Sequence, residues 1–504
     1  MKSPPSWPIR SAATSRKTEP VGWSDILAAL DAKRAFSSQM GGEARLAKHR
    51  EAGKLDARAR AAALFDDQRF VEIGALAANR SEAGTAPAPA DGLIAAFGLV
   101  NGRPTLAGIE DFTVLAGSIG EAGSAKRYRL AQLARQERVP LVFMLEGAGH
   151  RLDNSHGTPA PNDLQALVEL SGIVPMACLV MGPSAGHGAL TAPLSDFVVM
   201  TRAASLFVAG PPLVKAALGE TATKEELGGP AVHAVQSGVV HNVVDDDAAA
   251  IALARRWLEY VPANRVEGSD CGPRRLEEIL DIVSPNARLP FDMRQVLALL
   301  ADDASLMEIQ PEYGGALVTA LARLGGQSVA IVANNPAVGA GAIDAAAAQK
   351  ASRFLGRAEA FGLPVVFLAD NPGVMPGTAA ERLGTLRHAA DMFAAQHRLT
   401  VPKLHVTVRK AFGFGSSIMG MNPFDGQTLN LAFPAITLGA MPAESGGRAA
   451  GMSEDDRVRI AAEQASGALS LADRMVYDDV IDPRDLRNAL LGGLMLAANR
   501  LPKG

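Results

Sequence analysis

The residues best placed to do chemistry are glycines that follow apolar strands. The stretch Val174–Gly188, VPMACLVMGPSAGHG, reads as a buried strand over Ala177–Met181 running into Gly182, Gly186 and Gly188. Val401–Gly415, VPKLHVTVRKAFGFG, repeats it and ends in Gly413 and Gly415. Glycine loses the most conformational freedom on folding, so a cluster after a strand implies that the backbone itself must approach something closely. Turns of this kind can aim successive N–H groups at an oxygen. Two further glycine loops, Gly147–Gly149 and Asn371–Gly377, also follow strands. In open α/β sheets ligands sit at the carboxyl edge of the strands, which is where all four loops would gather. Two oxygen-binding pockets are expected.

The same residues admit other chemistry. Gly182-Pro183-Ser184-Ala185-Gly186 satisfies the G-x-S-x-G pattern of a nucleophile elbow, and His241, His388, His397 and His405 lie downstream, so a serine hydrolase using Ser184 is one alternative. It does not explain the echo, where Ala411 takes the place of the serine. Neither a Walker loop nor a dinucleotide fingerprint of the required spacing is present. His150 and His187, beside glycines, read as structural rather than metal-binding. Arg151 and Arg409 could meet a carboxylate or phosphate, or form surface pairs. Phe412 and Phe414 read as pocket walls.

The elements that must position these loops follow from the pattern. Trp23 to about Arg60 is predicted helical, with Ile26, Leu27 and Leu30 at helical spacing, and Lys54–Arg58 leads into a second helix. A short strand is expected at Phe70–Ile73 and a surface loop at 81–91. Gly92–Leu99 and Pro104–Ile109 flank Asn101-Gly102, a strong hairpin signal. A loop over Thr113–Gly123, a helix from Ser124 to Glu137, a strand at Leu141–Leu145 and a helix from Pro161 to Ser171 lead to the Val174 stretch. Strand, crossover helix and strand make the unit of a parallel sheet covered on both faces. Charge and proline between 269 and 288 mark a boundary, after which the pattern restarts. Ser305–Ile309 parallels Arg69–Ile73, Leu324–Gln327 parallels Val100–Arg103, and Leu363–Asp370 parallels Val139–Glu146. Helices are expected at Ala345–Phe361 and Glu381–Arg398. The expectation is an α/β chain built by internal duplication, with a disordered terminus over 1–22 and domains over 23–270 and 271–504; a repeat this long means two similar domains rather than a solenoid.

Composition limits the function classes. Of 504 residues, 48% are apolar and 20% charged, as in a globular protein, and the net charge of −4 points to neither nucleic acid nor an anionic membrane. No run of about 18 apolar residues suggests a membrane span. The two cysteines, Cys178 and Cys271, form no CxxC, and a reducing, cytoplasmic setting is expected.

At these residues the chain resembles the carboxyltransferase (β) subunit of biotin-dependent acyl-CoA carboxylases, of the propionyl-CoA type. The matching pieces are Gly53–Arg58 with Phe70-Val71-Glu72, Asp111–Ser118, Glu146–Arg151, Met181–Gly186, Glu226–Gly229 with Ser237-Gly238-Val239, Asn371-Pro372-Gly373 through Pro376-Gly377-Thr378, and Arg409–Gly413, all in family order. The resemblance implies two crotonase-like (ClpP/crotonase) domains, a hexamer, and active sites where the N domain of one subunit faces the C domain of another. The N–H groups of Ala148 and Gly149 would hold the thioester oxygen, and those of Phe414 and Gly415 the ureido oxygen of biotin. Gly147, Arg151, Gly182, Ser184, Ala185 and Gly186 would lie on the acyl-CoA side; Asn371, Pro372, Gly373 and Gly413 would lie on the biotin side. Ser417 occupies a position linked to acyl-chain choice.

The chain departs from the family at His150, where Ala is commoner before the Arg, and at Gly413-Phe414-Gly415 in place of Gly-Gly-Ala. The sequence contains neither an ATP-grasp domain nor an Ala-Met-Lys-Met biotin site. The biotin carboxylase and the biotin carrier are therefore expected on separate chains, and no metal is expected in this one. A decarboxylase of the same fold, running carboxyl transfer in reverse, remains an alternative. So does a scaffold subunit whose Phe414 has ended biotin binding.

Overall fold

The computed structural model describes residues 22–78, 88–151, 162–268 and 270–501. The first expected helix is divided into α1 (Trp23–Ser38) and α2 (Glu43–Glu51), and the second, entered through Lys54–Arg58, is α3 (Ala57–Leu64). Gly41 and Gly42 break the first joint. Gly42 has φ +84°, and the Gly41 N–H donates to Thr113 Oγ1 at 3.0 Å. Asp56 caps the third helix, its carboxylate accepting from Ala59 N at 2.9 Å.

The first half continues through β1 (Phe70–Ile73), β2 (Leu93–Val100), β3 (Arg103–Glu110), α4 (Glu121–Glu137), β4 (Leu141–Gly147), α5 (Asp163–Val168), β5 (Met176–Ala185), α6 (Gly186–Ala189), β6 (Phe197–Thr201), β7 (Ser205–Phe207), β8 (Asn242–Val244) and α7 (Asp247–Leu258). The second half contains β9 (Met307–Ile309), β10 (Leu317–Leu324), β11 (Gln327–Asn334), α8 (Ala345–Ala360), β12 (Val365–Asn371), α9 (Thr385–His397), β13 (Lys403–Phe412), α10 (Gly413–Ile418), β14 (Leu429–Ala432), β15 (Thr437–Gly439) and β16 (Asp479–Val480).

Among the described residues the strands form two eight-stranded sheets, one of order β1-β2-β3-β4-β5-β6-β8 with β7 on β5, the other β9-β10-β11-β12-β13-β14-β16 with β15 on β13. The two orders are the same, strand for strand, so the duplication expected from sequence is a duplication of topology. The β2–β3 hairpin turns at Asn101 (φ +50°) and Gly102 (φ +75°), the two left-handed residues that a type I′ turn requires. From β3 to β8 the strands of this sheet run parallel, and β4, β6 and Met176–Gly182 of β5 are buried throughout, because helices cover both faces. Residues 81–87 of the expected surface loop and the start of the expected helix at Pro161 lie outside the described residues, as does 1–21. Among the described residues no helix is long and apolar enough to cross a membrane.

The halves share a core. Trp257 of α7 stacks on Phe197 with centroids 5.3 Å apart and meets Phe361 of the second half edge-on at 6.4 Å. Trp257 is 4% exposed, so truncating it to Ala should cost about 3–5 kcal/mol. Arg357 reaches across to Asp196 at 3.7 Å.

Candidate active site

In each half the site lies where two adjacent parallel strands, β4 and β5 or β12 and β13, end and diverge. Gly147 pairs with Ser184 and Asn371 with Ala411, each after a shift in register. These shifts free the chain to turn, and glycines fill the space between the turns.

In the first half the β4 loop is fastened by Ile119, whose N–H donates to Gly149 O at 2.8 Å, and by the Arg151 N–H, which donates to Ile119 O at 3.1 Å. Gly149 has φ +85°, and a Cβ there would stand 3.0 Å from Ala185 O and 3.9 Å from Gly186 Cα. The two glycine loops therefore touch, and any side chain at 149 would part them. The N–H groups of Gly149, Gly186, His187 and Gly188 have no backbone acceptor among the described residues. Ala148 does not fit the role expected for it. Its N–H donates to Ala116 O at 3.1 Å, and the equivalent residue of the second half is Pro372, which has no N–H. That leaves the N–H groups of Gly149 and of the first turn of α6 as those of this half without a backbone acceptor among the described residues.

The second half repeats the arrangement. The Ile343 N–H donates to Gly373 O at 3.1 Å, and the Met375 N–H to Ile343 O at 2.9 Å. Here the Gly373 N–H is taken by Asn371 Oδ1 at 3.0 Å, and Asn371 is in turn held by Asn334. A Cβ on Gly415 would lie 2.8 Å from Gly373 Cα. The N–H groups of Gly413, Phe414 and Gly415 open the first turn of α10 without a backbone acceptor among the described residues. Phe414 is 43% exposed and leans on Phe393, centroids 5.9 Å apart. Phe412 and Pro372 line a groove of about 450 Å³ together with Lys410. Ser417 lies half-buried in α10, its carbonyl accepting from Asn422 Nδ2 at 3.0 Å.

Beneath the first pocket lies a buried charge network. Arg60, 1% exposed, joins Glu146 Oε2 at 2.6 Å to Asp247 Oδ2 at 2.8 Å, and Lys54 also pairs with Glu146. Gly182 leaves room for that carboxylate, which a Cβ would strike. Glu110 accepts the Glu146 N–H at 2.8 Å and faces Arg127 at 3.3 Å. Burial outweighs Arg127 there and pushes the Glu110 carboxyl up to about 7. Arg127 also donates to Asp163 at 2.6 Å, and Asp163 Oδ1 lies 2.5 Å from His187 Nε2. Burial alone would raise the Asp163 carboxyl; His187 and Arg127 win and hold it well below the usual carboxylate range. The imidazole of His150 meets that of His187 edge-on at 4.3 Å. Burial, then His187, lowers the His150 pKa.

Three expectations change with these contacts. Arg151 is spent within the protein, on Asp91 Oδ1 at 2.5 Å and on Ser118 Oγ and O at 3.0 and 2.9 Å, so it braces the loop rather than reaching a substrate. Arg409 is 1% exposed and neither a surface pair nor a ligand arm. It donates to Asp370 at 2.7 Å and to the carbonyls of Ser284, Asn286 and Leu289 while lying over Phe291. Ser184 is 1% exposed and donates only to Gly182 O, at 3.4 Å. Each of the four histidines proposed to activate it pairs elsewhere: His241 with Val198 N, His388 with Asp391, His397 with Asp425 and His405 with Met419 O. The nucleophile elbow is a sequence coincidence. Sequence reasoning missed Glu110, Asp163 and Arg127. The one signal was Glu110 and Glu146 closing otherwise apolar strands, where an acid must be paired.

A doubled crotonase-like sheet with a glycine-lined pocket at each carboxyl edge defines the carboxyltransferases that serve biotin-dependent enzymes. The family model for the carboxyl transferase domain matches residues 48–501, and the chain belongs to that family. The methylmalonyl-CoA decarboxylase subunit alpha of Veillonella parvula is 35% identical over 482 residues, covering 92% of this chain and 94% of that protein. The propionyl-CoA carboxylase beta chain of Cereibacter sphaeroides is 32% identical over 482 residues, with 92% and 94% covered. A crystal structure of transcarboxylase 12S, described as a hexamer assembly with methylmalonyl-coenzyme A and methylmalonic acid bound, superposes with a TM-score of 0.88 at 33% identity, over 96% of this chain and 98% of that one. The chain is an enzyme of this class, a carboxyltransferase.

Proposed function

We propose that this carboxyltransferase moves a carboxyl group from carboxybiotin, carried on a separate protein, to the α-carbon of an acyl-CoA. The half over 23–270 takes the thioester and the half over 271–504 takes the biotin. Carboxybiotin supplies the carbon dioxide, and its loss leaves negative charge on the ureido oxygen. Removing an α-proton from a thioester likewise puts charge on the thioester oxygen. Each charge needs donors fixed beforehand, and one such donor is typically worth about 2.7–4 kcal/mol. Gly149 N–H with the first-turn N–H groups of α6 suits the thioester oxygen. Phe414 N–H with Gly415 N–H suits the ureido oxygen. The matched pair of glycine turns carries this reading, and the missing side chain at Gly415 lets its turn close against Asn371 and Gly373, which fixes the Phe414 and Gly415 N–H groups in place.

A hexamer follows the transcarboxylase relative, and Trp23, Ile26 and Leu27, all exposed along α1 in the single chain, suit burial between subunits; the family resemblance implies that unlike halves of two subunits face one another there. A biotin carboxylase and a biotin carrier are the partners, and the cytoplasm is the setting. The reverse reaction is the second reading, favoured by the decarboxylase relative.

The test combines the purified chain with a biotin carboxylase, its biotinylated carrier, ATP, labelled bicarbonate and a panel of acyl-CoAs. Label in one thioester is the expected result. No label in any thioester, with both partners verified, contradicts the forward reaction; loss of carboxyl from a malonyl-type thioester to the carrier would then establish the reverse.

A further inference from the structure

Gly186 (φ +59°) and Gly413 (φ +53°) follow β5 and β13 in the same left-handed conformation. The next residues, His187 and Phe414, therefore leave the first turns of α6 and α10 at equivalent places. Each reaches the crossover helix of its own half. His187 Nε2 lies 2.5 Å from Asp163 Oδ1 on α5. Phe414 meets Phe393 on α9, with ring centroids 5.9 Å apart and planes tilted by 59°. Aromatic rings at this range attract one another beyond the area they bury. The two halves thus brace the same turn in two ways, one polar and one aromatic.

The aromatic brace has a fixed member and a held one. Phe393 is half-buried and packs against the core that the halves share. Phe414 is 43% exposed and has less to hold it. The far end of α9 is tied down as well: His397 Nδ1 lies 2.7 Å from Asp425 Oδ1, and Gln396 donates to Asp425 Oδ2 at 3.2 Å, on the segment that follows α10. Phe412, at the head of α10, cannot cap it with a side chain, so the turn depends on packing for its order. Gly415 closes that turn against Asn371 and Gly373 on one side, and the Phe393 ring holds it on the other.

We propose that Phe393 is a positioning residue for carboxyl transfer: by holding the Phe414 ring it fixes the direction of the Phe414 and Gly415 N–H groups. This rests on the assignment of the second pocket to the ureido oxygen. The bulk of Phe414 rests on α9, which is how a turn built on glycines accommodates it.

The experiment measures reconstituted carboxyl transfer at varied carrier concentration, with thermal unfolding and titration of the CoA ester beside it. Phe393→Ala should lower kcat about 100-fold, the effect of donors misplaced by about 1 Å, while the KM for the carrier and the binding of the CoA ester hold. Phe393→Tyr keeps the ring and should recover kcat. Phe393→Leu keeps the apolar bulk and should recover the melting temperature without recovering kcat; these two variants carry the test should Phe393→Ala fail to fold. Phe414→Ala should be slow, and adding Phe393→Ala to it should slow it no further, because the two residues act as one. Wild-type kcat in Phe393→Ala, recovery of kcat in Phe393→Leu together with the melting temperature, or losses that multiply in the double variant would each overturn the proposal and leave the carboxyltransferase reading intact. A wild type that transfers to no acyl-CoA, with verified partners, removes the reading beneath it and the proposal with it.

Discussion

Gly415 and Gly373 meet so closely that a Cβ on the first would stand 2.8 Å from the Cα of the second. These residues belong to loops that leave adjacent strands, and their contact fixes how far apart the N–H groups of the second pocket sit. Gly415→Ala should therefore spread the loops and displace a donor. Carboxyl transfer should fall about 100-fold, the cost of one lost oxyanion donor. Binding of acyl-CoA, on the other half, should not change; isothermal titration with the CoA ester and a reconstituted transfer assay separate the two.

Ser184→Ala tests the discarded hydrolase directly. The hydroxyl donates only to Gly182 O, and losing one such bond costs about 1 kcal/mol. The variant should keep most of its transfer activity and unfold near the wild-type temperature. A folded but inactive Ser184→Ala would restore the serine as a nucleophile.

Arg60 is the cation that lets Glu146 and Asp247 share a buried site. Removing it leaves uncompensated carboxylates, which typically costs about 3–5 kcal/mol. Arg60→Met should lower the urea midpoint accordingly, and adding Glu146→Gln should recover part of the loss. Equal midpoints for wild type and Arg60→Met would show that the network is not holding β4 in place.

Glu110 predicts a pH dependence of stability. Burial raises its carboxyl from an ordinary 4.5 to about 7. Between those values the folded chain holds a proton that the unfolded chain has released. Stability from this group is thus complete below pH 4.5 and lost as pH rises to 7. Glu110→Gln carries no such proton. The wild type should lose melting temperature relative to this variant across that window, by thermal denaturation at stepped pH. A constant difference across the window would refute the shift.

Much of this was legible in the sequence, for physical reasons. The Asn101-Gly102 turn was legible because few residues accept a positive φ. The duplication was legible because both halves must bury the same strands under the same helices. The long helix over Trp23–Arg60 was misread, since Gly41 and Gly42 are broken by contact with Thr113, 72 positions on from Gly41. Ala148 was misread for the same reason: its N–H finds Ala116, a partner no spacing rule reveals. Arg151 and Arg409 read as arms for a carboxylate or phosphate, or as surface pairs, because the acids that hold them, Asp91 and Asp370, arrive from other elements. Sequence periodicity finds faces and turns; it does not find a charge cluster assembled from seven elements, α3, β3, α4, β4, α5, α6 and α7.

The account stands on two sets of main-chain N–H groups receiving two oxygens, and a structure of the assembled protein with an acyl-CoA and biotin bound tests it most directly. The thioester oxygen should lie about 2.7–3.1 Å from Gly149 N and an N–H of the first turn of α6, with the ureido oxygen at the same range from Phe414 N and Gly415 N. A thioester or ureido oxygen seated on side chains or water instead, with those N–H groups turned away, would contradict it.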